Sequence, residues 1–399
     1  MEMISSEVSA WKDIDWKKLT ELNIKRLRPL MKAEGVDALF VHRSDNFQYL
    51  TGYMNPTHFN SLFYTAFRQG AVLLAEEDQA IMLAGGADFW DAKNFWWIDD
   101  VRPMPSKYEV WPRILKEVLN DHGLKKGRVG LDPHSEYILI DRIRKELGSN
   151  YEFVSAQTIL EKARAIKSSE EIKVIRRAAS LAEAMVITAK NNIGEGVREI
   201  NVAIEVEHTL SRLEPLAYPA YKPVIVSGDR AAYLDRIPSN KIIKRGEIVM
   251  IDAGCRYMGY YSEFSRHVMV GNPTPEQKKL YRAAFEAEQE AIKAIKPGVK
   301  VSEVDRIARK VIEQAGYKEF QHPHYTGHGH GLSVHDLPIA GDPGQKDDYP
   351  FEPGMVVAIE PGIFKPGVGG VREEDVVLVT ETSHEILTRV GYEDKLLDG

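Results

Sequence analysis

Residues 251–271 read IDAGCRYMGYYSEFSRHVMVG, and this stretch decides how the second half of the chain is interpreted. Two strand-like runs flank Met258-Gly259, which predicts a β-hairpin. Asp252 ends the apolar run EIVMID, and Glu263 follows eleven residues later. Side chains on paired strands can converge, and a buried carboxylate without a partner is costly. The pair predicts a cation site; a turn-capping Asp252 and a solvated Glu263 are the simpler alternatives.

Three further segments place acids and histidines beside glycines or at the ends of strand-like runs. They are TGHGHGLSVHDLP (326–338), AIEPGIF (358–364) and GGVREEDVVLVT (369–380). Four carboxylates and one histidine exceed the needs of one metal ion but suit two divalent cations about 3.5–4 Å apart. Mixed Asp, Glu and His donors favour Mn, Co, Fe or Zn. The residues alone do not select one of the three acids at 373–375.

In order and spacing, these segments resemble the pita-bread metallopeptidases of family M24, which include prolidases, X-Pro aminopeptidases and creatinase. The family pattern is Asp-x-Gly with Ser-Asp eleven residues on, Gly-His-Gly with a second His seven residues on, Glu-Pro-Gly, and Arg-x-Glu-Asp. The similarity runs from about residue 160 to the C-terminus. A looser likeness to the N-terminal domain of prolidases covers residues 20–150, where DALFVHRSDNFQYLTGY stands at 37–53.

The resemblance implies a role for each residue that matches the pattern. Glu360 would transfer the proton, first as a general base and then as a general acid. His335 would hydrogen-bond the developing oxyanion or orient the substrate, His324 would lie near the substrate, and Arg372 would orient a ligand or contact the substrate. Two divalent metal ions would be bound by five residues: Asp252, Glu263, His328, Glu360 and Glu374.

Two positions depart from the family pattern, and two further histidines have no counterpart in it. Glu263 stands where the family has Asp, so its carboxylate reaches about 1.5 Å farther, roughly one C–C bond. Asp235 stands seven residues after Gly228, where many prolidase-like enzymes have a substrate-contacting His. An anionic Asp235 favours a substrate with positive charge, whereas the simpler interpretation is a turn-capping Asp. His322 and His330 have no counterpart, and we predict a solvated or packing role for both.

Composition limits the class of protein. The 399 residues suffice for two or three domains with a buried core. Charged residues are 28% of the chain, as in ordinary globular proteins, and a net charge of −7 argues against a nucleic-acid binder. The single Cys255 excludes an intrachain disulfide and fits a reducing compartment. We find no signal peptide and no run near the roughly 18 apolar residues of a membrane span, so we expect a cytoplasmic protein.

Apolar periodicity predicts two domains. Residues 1–155 alternate short apolar strands with helices, including a helix over 16–34, which indicates an α/β domain. Residues 156–399 contain a helix that begins after Ser168, and the resemblance implies the pita-bread fold for this α+β domain. Two more helices are predicted from Thr274 to Lys296 and from Ser302 to Gly316. The predicted strands of this domain are 222–227, 247–253, 257–270, 355–360 and 375–380.

The resemblance favours metal-dependent hydrolysis of an amide bond, most simply an X-Pro peptide bond, by water that two cations activate. The substrate would be a small peptide or a small amide, and the family implies a homodimer. Two alternatives stay open. One is hydrolysis of a small non-peptide C–N compound, as in creatinase or ectoine hydrolase, which Glu263 and Asp235 favour. The other is a binding homologue without catalysis, which the complete set of ligand positions disfavours.

Overall fold

A computed structural model describes residues 14–54, 69–105, 107–233, 237–341 and 348–397 of the chain. The chain divides into two compact units. The first contains residues 1–164 with 168–170, and the second contains 165–167 with 171–399. None of the helices in the described ranges has the length and apolar character that a membrane crossing requires.

The first unit is built on a mixed six-stranded sheet. Its strands are β1 Ala38–Val41, β2 Gln69–Leu74, β3 Ile81–Ala84, β4 Val101–Pro103, β5 Gly127–Leu131 and β6 Tyr151–Ser155. The order across the sheet is β4-β3-β2-β1-β5-β6, in which β1 pairs antiparallel with β2 and parallel with β5. Parallel pairing requires a crossover connection, and helices supply it, so the predicted α/β class is confirmed.

Helices cover this sheet through apolar faces at helical spacing. They are α1 Trp16–Ala33, α2 Ser44–Thr51, α3 Gly86–Phe95, α4 Trp111–Asp121 and α5 Tyr137–Leu147. Helix α1 begins where the Asp15 side chain accepts a hydrogen bond from the Lys18 backbone N–H at 2.9 Å, as an N-cap residue does. Leu27 and Met31, four residues apart on α1, are completely buried. The predicted helix over 16–34 is therefore confirmed.

A buried ion pair joins α2 to the end of the first unit. Arg164 Nη1 donates to Asp45 Oδ2 at 2.8 Å, and Arg43 Nε lies 3.2 Å from Asp45 Oδ1. Burial acts to raise the pKa of Asp45, but the two guanidinium groups outweigh burial and hold that pKa below its usual range. The charged form of Asp45 is thus favoured by folding, and removal of its carboxylate leaves buried Arg164 without this partner.

Replacing Asp45 by alanine is expected to destabilise the first unit by about 3–5 kcal/mol, the usual cost of breaking a buried pair. All six tryptophans lie between residues 11 and 111, so tryptophan fluorescence during urea unfolding reports on this unit. Because folding lowers the Asp45 pKa, the stabilisation is present above the unfolded pKa of about 3.9 and is lost as the pH falls through the folded value. The difference between wild type and Asp45→Ala should therefore shrink in acid.

Asp78→Ala is the matched control, because its carboxylate also pairs with an arginine, Arg28, but is 89% exposed. Exposed pairs contribute little to stability, so the urea midpoint of this variant should stay close to that of wild type. Equal midpoints for Asp45→Ala and Asp78→Ala would contradict a stabilising role for the Asp45 pair.

The second unit contains antiparallel sheets. Its strands are β7 Ala217–Pro219, β8 Val224–Ser227, β9 Ile248–Tyr257, β10 Tyr260–Met269, β11 Gly327–Gly329, β12 Asp336–Ala340, β13 Val356–Ile359, β14 Gly362–Lys365, β15 Gly369–Arg372, β16 Asp375–Val379 and β17 His384–Ile386. Strand β9 pairs with β10, β7 and β8, and β14 pairs with β15. A five-stranded sheet has the order β12-β11-β13-β16-β17. The predicted hairpin turn is confirmed at Met258-Gly259, where both residues have positive φ.

Helices pack on the sheets of the second unit. They are α7 Ser169–Asn192 from Glu171 onward, α8 Glu199–Leu213, α9 Pro275–Ala294, α10 Val301–Gln314 and α11 Asp394–Leu397. Helix α6 Gln157–Ala165 belongs to the first unit up to Arg164. Helix α9 begins at Thr274, whose side chain forms a capping box with Gln277, so its predicted start is confirmed. Small buried alanines on α9, such as Ala284 and Ala287, share one core cluster with Ile359 of β13. This packing supports the strands that carry the candidate site.

Candidate metal centre

The β9–β10 hairpin brings Asp252 and Glu263 together. In its register Asp252 faces Ser265 across the ladder, and Glu263 faces Gly254. Asp252 and Gly254 are two residues apart and therefore share one face of β9. A Cβ atom at Gly254 would lie 2.2 Å from the Cβ of Glu263, closer than real atoms approach. Glycine at this position is thus what allows Glu263 to stand beside Asp252.

His328 lies on the short strand β11, between two glycines that the packing requires. A Cβ atom at Gly327 would lie 2.2 Å from the backbone oxygen of Ala358, and one at Gly329 would lie 2.2 Å from that of Leu337. Strand β11 is central, because it pairs with β12 on one side and β13 on the other. The two glycines therefore allow β12 and β13 to pack closely against β11, while the His328 imidazole between them extends from the strand.

Glu360 and Glu374 follow or precede strands of the same sheet. Glu360 comes directly after β13, and its N–H donates to the Thr326 carbonyl at 2.7 Å before Pro361 ends the strand. Glu374 lies between β15 and β16. Its Oε2 accepts a hydrogen bond from Ser265 Oγ at 2.8 Å. The Glu360 backbone and the Glu374 carboxylate are thereby fixed at the ends of the neighbouring strands β13 and β16.

The structure brings the five predicted ligands into one buried cluster. Donor atoms lie within 4.8 Å of one another in two groups that share Glu374, and a third group adds a residue that was not predicted. The groups are Asp252, Glu263 and Glu374; His328, Glu360 and Glu374; and Glu263, His328 and His330. A shared carboxylate between two donor groups is the arrangement that two neighbouring cations use.

Crowded negative charge dominates the electrostatics of this cluster. Burial raises the pKa of Asp252 to about 7, Glu263 adds to the rise, and Arg372 opposes it. Burial and the neighbouring carboxylates of Glu263 and Glu360 raise the pKa of Glu374 well above its usual value. Like charges so close in a site away from water disfavour ionisation of Asp252 and Glu374. Burial also acts to raise the pKa of Glu263, but His328 and His330 outweigh burial and lower that pKa instead. Positive charge from bound cations would relieve this repulsion.

Polar atoms without partners show how the residues fit metal ions. Among the described residues, the buried Glu374 Oε1 has no hydrogen-bond partner, and neither does either ring nitrogen of His330. Buried polar atoms are seldom left unpaired, and these lie in the donor groups given above. Oxygen and imidazole donors at these spacings match the chemistry of a divalent transition-metal site.

The neighbouring acids Glu373 and Asp375 serve a different purpose. Arg266 Nη2 donates to Asp375 Oδ1 at 2.6 Å, and the His267 Nδ1–H donates to Glu373 Oε1 at 2.8 Å. Arg266 Nη1 also donates to the backbone oxygen of Glu374 at 2.7 Å. Of the three consecutive acids, only Glu374 has its carboxylate in the cluster, and the other two hold the strand that carries it.

The other predicted site residues lie around the cluster. His324 Nδ1 is 3.8 Å from Glu360 Oε1, and Arg372 Nη1 is 3.1 Å from Glu360 Oε2. Arg372 also donates to Asp252. The exposed His335 places its ring centroid 4.2 Å from that of His328. Asp235 falls outside the described residues.

Sequence reasoning missed two residues of the cluster. The Tyr221 hydroxyl lies within hydrogen-bonding distance of Asp252 and Glu263; Tyr221 precedes β8, and no sequence pattern marks it. His330 is completely buried, as is His322, whose Nε2 lies 3.0 Å from Thr326 Oγ1. Of the predicted solvated or packing role, burial excludes the solvated alternative for both histidines and agrees with the packing alternative. Period-two alternation from His328 would have found His330.

Known proteins share both parts of this architecture. The model of metallopeptidase family M24 matches residues 173–381, and that of the creatinase/prolidase N-terminal domain matches residues 23–166. The chain is 31% identical over 370 residues to an Xaa-Pro dipeptidase of Pyrococcus furiosus, covering 93% of this chain and 98% of that protein.

Solved structures agree with these matches. The prolidase of Pyrococcus horikoshii has a TM-score of 0.79 and 31% identity, with 93% of this chain and 99% of that chain covered. An Xaa-Pro dipeptidase of Bacillus anthracis has a TM-score of 0.81 and 26% identity, with 93% and 98% covered. The predicted creatinase-type and pita-bread domains are thus confirmed, and the chain belongs to the M24 metallopeptidase family.

Proposed function

We propose that the protein is a metal-dependent Xaa-Pro dipeptidase that holds two divalent cations. The observation that carries the proposal is the buried cluster in which Glu374 is shared by two donor groups. The relatives named Xaa-Pro dipeptidase, matched over nearly their whole length, support the choice of substrate. We assign metal binding to Asp252, Glu263, His328, Glu360 and Glu374.

Bound cations would supply Lewis-acid activation of the carbonyl and of water. The chain supplies the proton transfer: Glu360 accepts a proton from the attacking water and delivers it to the leaving nitrogen. Arg372 Nη1, 3.1 Å from Glu360 Oε2, fixes the orientation of that carboxylate. The other oxygen, Oε1, faces His328 Nε2 at 3.6 Å. Glu360 is thus held from both sides at the edge of the cluster.

Two histidines are proposed to contact the substrate. The His324 Nδ1–H donates to the Tyr325 carbonyl at 2.6 Å, so Nδ1 carries the proton in the neutral ring. Nε2 then remains an acceptor, and it has no partner among the described residues, which makes it available to a substrate N–H. His335, exposed beside His328, is placed to donate to the substrate carbonyl as negative charge develops on it.

The metal, the cellular location and the oligomeric state are proposed on separate grounds. The choice of Mn, Co, Zn or Fe follows from mixed carboxylate and imidazole donors. We propose a cytoplasmic location, which is supported by the single cysteine, Cys255, buried and free as in a reducing compartment. The homodimer rests on the family resemblance alone, and a sedimentation measurement would test it.

The second candidate is hydrolysis of a small cationic C–N compound. Glu263 and Asp235 favour it, because both depart from the pattern of the X-Pro peptidases. An anionic group near the substrate would attract positive charge and repel a free proline carboxylate. A binding homologue without catalysis is disfavoured by the complete donor set.

We expect X-Pro dipeptides to be the best substrates in a screen of X-Pro dipeptides, longer X-Pro peptides, and cyclic or guanidino amides. The protein would be loaded with Mn²⁺, Co²⁺ or Zn²⁺, and a chelator should abolish turnover because the cations activate the water. Turnover of guanidino or cyclic amides without turnover of X-Pro dipeptides would establish the second candidate instead.

The same screen on Asp235→Asn separates the two roles of Asp235. If Asp235 faces the substrate, KM should rise for a cationic substrate and stay unchanged for a neutral one. An equal effect on both substrates would leave only a turn-capping role for Asp235.

A further inference from the structure

We propose that His330 is itself a protein ligand of the metal position formed by Glu263 and His328. This position would then have two imidazoles and a carboxylate, and it would prefer Zn²⁺, Co²⁺ or Fe²⁺ to Mn²⁺. The inference rests on the two-metal site proposed above. It extends that site by one donor that the family pattern does not contain.

Strand geometry aims His330 at the same place as His328. Strand β11 pairs with β13 without irregularity: His328 lies opposite Ala358 and Gly329 opposite Val357. The His330 N–H continues this pairing by donating to the Val356 carbonyl at 3.1 Å. Alternate residues of a strand share one face, so the two imidazoles stand side by side, with ring centroids 5.2 Å apart.

The His330 ring is buried and unsatisfied. Its exposed fraction is 0%, and neither ring nitrogen has a hydrogen-bond partner in the part of the chain that is described. Its Nε2 lies 3.5 Å from Glu263 Oε1, an ion-pair contact at the outer limit of hydrogen-bonding distance. An unpaired buried donor or acceptor is unfavourable, so a packing role alone leaves this ring unexplained. A cation beside Oε1 would give one of its nitrogens a partner.

Glu263 connects the two imidazoles to the rest of the cluster. Its Oε1 lies 3.2 Å from His328 Nε2 and 3.5 Å from His330 Nε2. Its Oε2 is in contact with the Tyr221 hydroxyl. An aspartate would withdraw the carboxylate by about 1.5 Å, one C–C bond. The longer side chain of Glu263 therefore brings its carboxylate within reach of the added imidazole of His330. The glutamate and the extra histidine can thus be explained together, as ligands of one metal position.

The composition of this donor group sets the expected metal preference. Imidazole suits Zn, Fe and other later metals, whereas carboxylate and water suit Mn and Mg. Two histidines and one carboxylate are the donor set of many Fe²⁺ and Zn²⁺ sites. The other group, Asp252, Glu263 and Glu374, contains only carboxylates and would retain the harder cation. The two positions would thus differ in metal preference within one site.

Metal binding by His330→Phe tests the assignment, because phenylalanine fills the ring volume without a donor atom. In competition against a chelator, we expect affinity for Zn²⁺ and Co²⁺ to fall more than about 100-fold, beyond the 10–100-fold typical of groups that only orient a ligand. Mn²⁺ affinity should fall less than about tenfold, because Mn²⁺ depends on carboxylates. The visible absorption of the Co²⁺ protein should change shape, since a ligand of the metal is lost.

His208→Phe is the control. It removes an exposed imidazole from helix α8 of the same unit, and His208 belongs to none of the donor groups of the described chain. Its Co²⁺ spectrum and metal affinities should equal those of wild type. An unchanged spectrum in His330→Phe, or a uniform loss for all three metals, would overturn the inference.

X-ray absorption of the wild-type zinc protein tests the proposal without a variant. With zinc in both positions, two histidine ligands should average about one imidazole per zinc. An average of about half an imidazole per zinc, which His328 alone would supply, would overturn the assignment. If the wild-type protein binds no divalent metal, the proposed function fails. If it binds metal and His328 supplies the only imidazole, only the role of His330 fails.

Discussion

Replacing Glu360 by glutamine is expected to lower kcat by about 10²–10⁴-fold, the usual contribution of a positioned acid–base group, while the protein stays folded. Glutamine has nearly the same shape, so the packing after β13 survives. It cannot accept a proton from water or return one to the leaving nitrogen, and Arg372 loses a charged partner at 3.1 Å. The measurement is kcat on an X-Pro dipeptide at saturating metal, with circular dichroism to verify the fold.

Glu381→Gln is the control for this change. Glu381 is exposed between β16 and β17, so the same chemical substitution there should leave kcat unchanged. Wild-type kcat in Glu360→Gln would show that another group transfers the proton.

The His328→Ala variant is expected to lose metal and activity together. His328 Nε2 lies 3.2 Å from Glu263 Oε1 and 3.6 Å from Glu360 Oε1, so it is the donor that connects these two carboxylates. The metal content of wild type should be about two per chain, and that of the variant should fall after mild purification. A cation that binds only the native state raises Tm, so added metal should stabilise wild type much more than His328→Ala.

His122→Ala controls for the loss of an imidazole. His122 belongs to the first unit and lies on its surface, with Nε2 3.3 Å from Asp100 Oδ2, so metal content and kcat should not change. Full activity of His328→Ala in the presence of chelator would refute a metallohydrolase.

The fold could be predicted wherever local chemistry and packing agree. The cap at Thr274 and the Met258-Gly259 turn are local features, and both were found. Strand β11 was not predicted, because glycine is depleted in strands. The structure shows that these glycines are needed because the backbones of neighbouring strands approach them closely. These contacts come from residues distant in the sequence, so the local sequence of β11 does not reveal them.

A site residue could be predicted when the sequence next to it carries a recognisable pattern, and the site residues differ in this respect. Asp252 and Glu263 were suggested by their own hairpin. Glu374 could be separated from Glu373 only by the family pattern, because the partner that distinguishes them, Arg266, is far away in the sequence. Tyr221 had no local signal at all, since its position beside Asp252 depends on how β8 and β9 pair.

The donors are contributed by segments from β9 to the start of β16, and this spread determines when the site can exist. During synthesis the first unit is complete before any donor has been made, and domains fold as units in that order. Pairing of strands far apart in sequence is slow, and the shared Glu374 is synthesised only after the other four proposed ligands. A chain that stops just before Glu374 would carry the other four carboxylate and imidazole ligands without the one common to both groups. We therefore expect tight metal binding only after Glu374 has been synthesised. A ribosome-bound fragment that stops just before Glu374 should release added metal that the 399-residue chain retains.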